Sequence, residues 1–347
     1  MADPTLEPTT LTTEQLVTDV LATIDRERER EIVARRFGLF DRKETLEQIG
    51  EMLGITRERV RQLEKSVVTK LRGAGEQGTL PHLVDFQTKI VKQLQTIGQT
   101  ARVSVLTASL VEDANKVEQA RTAFLAGLCP DLIVINEDDH FFNSVGIKNI
   151  RDEKALKATV AKLIDTIKKL GEPKAIDEIA AAAEITDAAE AEALASTSKS
   201  LATLNGRWGL VKWPMVNPKN IRDKIYVILK EHGKHLHFNE IAEAIKDSEF
   251  KRKDVTTQAI HNELIKDKRF VLIGRGIYAL KEWGYEKGTV ADIITEVLKK
   301  ANEPLHRDEI VKRVLESRYV KETTILLNLQ GKPQFKRVAK ATYALAV

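Results

Sequence analysis

Apolar residues recur at helical spacing in two short runs near the front of the chain: Leu46, Ile49 and Leu53, then Val60, Leu63, Val67 and Leu71. Steps of three and four residues place each set on one face of a helix. Thr45 followed by Gln48 is the pattern of a capping box, so the first helix starts there. Gly54 stands where the chain turns tightly, Gly50 is small where the two helices cross, and Thr56 is placed to cap the second helix. Two helices with these punctuation marks read as a helix-turn-helix. The other face of the second helix is densely polar. Arg57, Glu58, Arg59, Arg61 and Gln62 open it, and residues 57–72 hold six basic and two acidic side chains.

A longer periodicity governs the rest of the chain. Residues 221–245 and 290–314 align at an offset of 69, with Leu229 on Leu298, Leu236 on Leu305, His237 on His306 and Glu240-Ile241 on Glu309-Ile310. After small gaps, Phe270 falls on Phe335 and the Tyr-Ala-Leu at Tyr278 on that at Tyr343. Self-similarity of this length means a duplicated domain. Each copy reads as a helix, a short Leu-His link, a second helix from about Glu240 or Glu309, a third near Thr257 or Thr324, and a β-hairpin. Fainter copies occupy residues 155–213, ending in "GRWGLVKW", and residues 82–146. The expected fold is mainly α with small β-hairpin wings: an N-terminal helix-turn-helix over 12–75, then tandem winged-helix domains over 81–150, 151–215, 220–285 and 286–347.

Composition narrows the function classes. The 347 residues are 42% hydrophobic, 31% charged and only 5% aromatic, which suits a charged-surface helical protein of several domains. A net charge of +4 permits a nucleic-acid partner without demanding one. Cys129 is the sole cysteine, so an intrachain disulfide and a cysteine-based zinc site are excluded. The start, "MADPTLEPTTLTTEQ", lacks the basic and apolar regions of a signal peptide, and no apolar run spans a bilayer; a cytoplasmic protein without membrane contact is expected. The first ten residues read as a disordered tip.

On the polar face of the second helix, Arg57 and Arg61 suit guanine edges, Glu58 suits cytosine and Gln62 suits adenine. Thr56, Arg59, Lys65, Lys70 and Arg72 are placed for phosphates. A plain solvated helix is the simpler alternative. The residues themselves carry a resemblance: "RERE" and "REIVARRFGL" over 26–39, then "TLEQIGEMLGITRERVRQLEKSVVTKLR" over 45–72, resemble region 4 of the primary sigma factors of bacterial RNA polymerase. The resemblance covers residues 12–73 and "ITRERVRQLE" is close to the family's recognition-helix signature. It implies reading of a promoter's minus-35 element by Arg57, Glu58, Arg61 and Gln62, and docking on the flap of the polymerase β subunit. Region 4 normally closes a sigma factor, whereas here it opens the chain. No sequence like the core-gripping and minus-10-melting regions lies downstream, so a complete sigma factor is not expected.

Residues 220–347 resemble the HARE helix-turn-helix family, which includes the N-terminal domain of the RNA polymerase delta subunit; this implies a transcription or DNA-associated role. Lys251, Arg252, Lys253, Lys268 and Arg269 give this region a basic edge, and Arg275 lies in its wing. Lys251, Arg252, Lys253 and Arg275 are candidates for secondary nucleic-acid contacts. His237 with Glu240 and His306 with Glu309 mimic capping boxes, a better use for these histidines than a metal site together with His232 and His235. The acidic stretch 172–195 reads as exposed helix. "GRGIYAL" and "LQGKPQ" lack the glycines and hydroxyl of nucleotide loops. No cofactor, metal or catalytic residue is expected, and the chain is not read as an enzyme. The leading expectation is a DNA-binding transcription factor acting with RNA polymerase. The alternatives are a polymerase-associated adaptor that docks proteins and a module linked to DNA-modifying enzymes. The oligomeric state stays open.

Overall fold

The computed structural model describes residues 12–252, 254–285 and 287–346. The first ten residues and Lys253 of the secondary set lie outside the described residues. The chain divides into two compact units, Met1–Val211 and Lys212–Val347.

The first unit begins with four helices: α1 (Thr13–Ala22), α2 (Glu27–Phe37), α3 (Leu46–Leu53) and α4 (Arg57–Glu76). The capping box at Thr45 and Gln48 forms as the sequence predicts, with the Gln48 side chain accepting from the Thr45 N–H at 2.9 Å. Gly54 ends α3 at φ +64°, a conformation that penalises any residue with a Cβ. Gly50 is needed for a reason other than helix crossing: a Cβ there would sit 2.7 Å from the Ile55 carbonyl oxygen, in the turn itself. Ile32, Ile49 and Val60 form a small buried core, joined by Leu46, Leu53, Ile55 and Leu63.

Two repeats follow. The first holds α5 (Leu83–Thr96), β1 (Thr100–Arg102), α6 (Val103–Ala108), α7 (Lys116–Ala126), β2 (Leu132–Ile135) and β3 (Ser144–Ile147). The second holds α8 (Glu153–Leu170), β4 (Lys174–Ala175), α9 (Ile176–Ala182), α10 (Ala188–Thr197), β5 (Leu201–Leu204) and β6 (Arg207–Leu210). The second unit repeats the order twice more. Its members are α11 (Ile221–His232), β7 (Leu236–His237), α12 (Phe238–Asp247), α13 (Thr257–Lys266), β8 (Phe270–Gly274) and β9 (Ile277–Leu280), then α14 (Val290–Ala301), β10 (Leu305–His306), α15 (Arg307–Ser317), α16 (Glu322–Gly331), β11 (Phe335–Ala339) and β12 (Thr342–Leu345). Every repeat has a three-stranded antiparallel sheet in which the last strand is central, as in the order β7-β9-β8. The fold is therefore mainly α, with a helix-turn-helix followed by tandem winged helices.

Three features depart from the sequence reading. The Leu-His links are strands: Leu236 and His237 pair with Tyr278 and Ile277, adding a third strand to each hairpin. The acidic stretch is not simply exposed, because α10 buries Ala191, Ala193, Leu194 and Ala195. Only one histidine box is complete. The Glu240 carboxylate accepts from the His237 N–H at 2.7 Å, whereas Glu309 turns to Arg313 at 2.6 Å.

The apolar stripe of α4 is also divided. Val60 serves the small core, while Val67 and Leu71 enter a second, larger one with Leu16, Val17 and Val20 of α1 and Phe124 and Leu125 of α7. Adjacent residues of α2 split the same way, Ile32 inward to the small core and Val33 to the larger. The helix-turn-helix and the first winged helix thus share a continuous apolar seam. Burying each large aliphatic side chain of such a seam contributes about 1.5–3 kcal/mol.

Candidate nucleic-acid interface

The sequence places Thr56 as a cap, and its hydroxyl accepts from the Arg59 N–H at 3.2 Å, fixing the start of α4. With Val60 buried beneath, Arg57, Glu58, Arg59, Arg61 and Gln62 are all exposed. Glu58, Arg61, Gln62 and Lys65 follow at steps of three and four and share one face. Three arginines in the first five residues of a helix run against its macrodipole, which favours anions at that end. Helix stability does not ask for them. Glu58 offsets part of this repulsion. It pairs with Arg61 at 2.7 Å and accepts from Gln62 at 3.4 Å. The hydrogen bond from Arg61 holds the Glu58 carboxyl below its ordinary value and Glu58 raises Arg61 in return. Arg61 and Glu58 keep 53% and 58% of their side-chain surface exposed, so both remain reachable by a ligand that exchanges this pairing for its own.

The scaffold behind this face comes from α2, and the sequence reading did not single it out. Arg28 donates to the Leu53 carbonyl at 2.6 Å, satisfying an orphan acceptor at the end of α3. Arg36 pairs with Glu64 of α4 at 3.3 Å and also donates to the Glu44 carbonyl at 3.2 Å. Arg35 bridges Glu31 and Glu44 at 3.0 and 2.9 Å. The signal was the alternating run from Arg26 to Arg36, whose charges serve internal partners and not solvent alone.

The phosphate set divides by position. Arg59 and Lys65 lie beside the polar face and are exposed. Lys70 and Arg72 lie further along the axis, about 17 and 20 Å beyond Arg59 but only about 8 and 11 Å beyond Lys65, at 1.5 Å per residue. Arg72 donates to the Gly127 carbonyl at 3.2 Å, so one of its nitrogens already joins α4 to the first repeat. Thr56 has its hydroxyl committed to the cap.

The basic edge of the third repeat is partly internal. Arg269 is held by Asp267 at 2.8 Å and Asp223 at 3.3 Å. Lys251, Arg252 and Arg275 are exposed, and the backbone beneath the first two is clamped by the buried Lys224, whose ammonium donates to the carbonyls of Lys251 and Arg252 at 2.9 and 2.6 Å. Burial lowers the Lys224 pKa, followed by repulsion from Arg252. The three nearby histidines serve separate structural ends: His232 contacts the Ile228 carbonyl, His235 packs its ring at a tilt against Tyr319 and His237 caps α12.

The family model described as Sigma-70, region 4 matches residues 26–73, from the start of α2 into the second half of α4. This segment is a sigma-70 region 4 domain. It is similar to RNA polymerase sigma factor RpoD of Helicobacter pylori, 46% identical over 63 residues, 17% of this chain and 9% of that protein. It is also similar to sigma factor SigA of a Bacillus species, 51% identical over 55 residues, 16% and 14% of the two chains. Sigma factor sigB of Arabidopsis thaliana is 52% identical over 46 residues, 13% and 8%. The chain thus spans less than a sixth of the length of these relatives, and the matched region 4 segment supports a DNA-binding, transcription-related role. Among the described residues, no helix is long and apolar enough to cross a membrane.

Proposed function

We propose that this protein is a DNA-binding transcription factor that works with bacterial RNA polymerase in the cytoplasm, reading promoter-like duplex through the first turns of α4. Arg57, Glu58, Arg61 and Gln62 contact base edges; Arg59 and Lys65 take flanking phosphates, with Thr56, Lys70 and Arg72 as outer contacts. The observation that carries this is the exposed, dipole-opposing cluster of arginines on the second helix of a region 4 domain. Docking on the polymerase β flap is part of the proposal. That contact would use the outer surface, since the apolar side of α1 is covered by α7. Lys251, Arg252 and Arg275, in the part of the chain resembling HARE-type winged helices, add weak linked contacts that raise overall affinity. No residue is assigned a catalytic role.

Selection of bound sequences from a random duplex pool by the full chain tests this. An enriched motif whose preference narrows to fewer positions in Arg61→Ala supports base reading; a pool that stays random overturns it. A polymerase adaptor is the second reading. It is favoured by one observation: α7 and α10, each the third helix of a winged helix, are engaged in protein contacts. Polymerase retention by the chain with no measurable duplex binding would select it.

A further inference from the structure

The wings differ in what lies against them. In the first repeat, the loop between β2 and β3 receives the second repeat. The Phe142 N–H donates to the Thr197 carbonyl and the Lys199 N–H to the His140 carbonyl, both at 2.8 Å, and Lys199 pairs with Glu137 at 2.7 Å. In the third repeat, the outer strand β8 receives the fourth: the Tyr319 N–H donates to the Ile273 carbonyl at 3.2 Å, and Arg318 donates to the Leu272 carbonyl. In the fourth repeat, β11 is the edge of its sheet. Lys336, Arg337, Val338 and Ala339 are exposed along it, as is Lys340 at its turn.

Charge changes sign along the same comparison. The first wing, residues 131–148, carries Asp131, Glu137, Asp138 and Asp139 against Lys148 alone. The fourth, residues 331–346, carries Lys332, Lys336, Arg337 and Lys340 and no acidic residue. Cations along an edge strand resist the addition of another strand, which disfavours a protein segment as the occupant. A cationic ribbon with an exposed edge suits the phosphate backbone, where lysine and arginine gain affinity by releasing counterions. Arg337 uses one nitrogen on the Ala339 carbonyl at 3.1 Å, which orients the guanidinium and leaves its other donors for a ligand.

We propose that the β11–β12 wing is a second, sequence-independent contact for duplex DNA, with Lys332, Lys336, Arg337 and Lys340 binding phosphates. This rests on the chain being a DNA-binding protein, and assigns to the last winged helix affinity without base preference. The test compares the full chain with its Lys336→Ala, Arg337→Ala, Lys340→Ala triple variant. Binding to a random-sequence duplex and to a duplex enriched by selection is followed across salt. The expected result is a shallower salt dependence, the slope of log K against log salt falling by about 0.9 per lost contact, roughly 2–3 in all. Affinity for the two duplexes falls by the same factor, so base preference is unchanged. An unchanged slope overturns the proposal. A Lys336→Arg, Lys340→Arg variant keeps the parental slope; loss of slope there would show that the wing's shape, not its charge, was disturbed, and would equally overturn it. Failure of selection to enrich any motif removes base reading by α4 but leaves the slope difference on random duplex standing, so the two ideas fail separately.

Discussion

Helices α4 and α7 occupy the same place in their domains, each the last helix before the chain leaves a helix-turn-helix, and they put it to opposite uses. The opening turns of α4 expose Arg57, Glu58, Arg59, Arg61 and Gln62 over a buried Val60. Helix α7 buries Arg121, Thr122, Phe124 and Leu125. Arg121, with 7% of its side chain exposed, donates to the Leu39 carbonyl at 2.7 Å and pairs with Glu118 and Glu14 at 2.5 and 2.9 Å. Phe124 packs on Phe37 of α2 with ring centroids 5.1 Å apart. Arg61 on α4 is paired with Glu58 yet keeps 53% of its side chain exposed, whereas Arg121 on α7 is enclosed by its internal partners. Helix-turn-helix topology alone does not make a nucleic-acid reader. Which surface remains after the neighbours have packed decides it.

This contrast can be broken most forcefully at α7. Phe124→Ala removes a buried ring from the seam between the region 4 domain and the first winged helix, and should cost about 3–5 kcal/mol, read as a lowered urea midpoint. Arg121→Ala leaves Glu118 half-buried without its cation and should cost roughly 2–4 kcal/mol in the same measurement. Neither variant, studied where it is folded, should change base preference. At the other pole, Thr56→Ala removes the cap of α4 and should cost about 1 kcal/mol. A change in base preference from either α7 substitution would erase the distinction drawn between the two helices.

Much of this was legible in sequence because short-range chemistry dictates it. Thr45 and Gln48 satisfy each other's backbone groups, and Gly54 takes the left-handed turn, whatever surrounds them. The duplicated winged helices announced themselves through matched anchors, Leu236 and Leu305 in short strands, Tyr278 and Tyr343 opposite them. The short strands themselves were not legible: two residues offer no alternation to read, and a partner far along the chain creates them. Nor could periodicity show what covers an amphipathic face. Arg121 and Thr122 look like surface residues until α1 and α2 close over them. The alanine-rich α10 read as an exposed acidic helix, yet its small side chains let β1 and Gly98 approach closely, and Glu190 pairs with Arg151. The exposed polar set on α4 was legible because the caps at Thr45 and Thr56 and the inward spacing of Val60 and Leu63 leave Arg57, Glu58, Arg61 and Gln62 on the opposite face.

The most direct test of the central claim is to measure affinity of the full chain and of Arg61→Ala for an enriched duplex and for its single-base-pair variants. The account predicts a loss of roughly 1–3 kcal/mol of discrimination confined to one position, with the others retained. Uniform weakening across every duplex, accompanied only by a shallower salt dependence, would contradict it and leave Arg61 a phosphate contact.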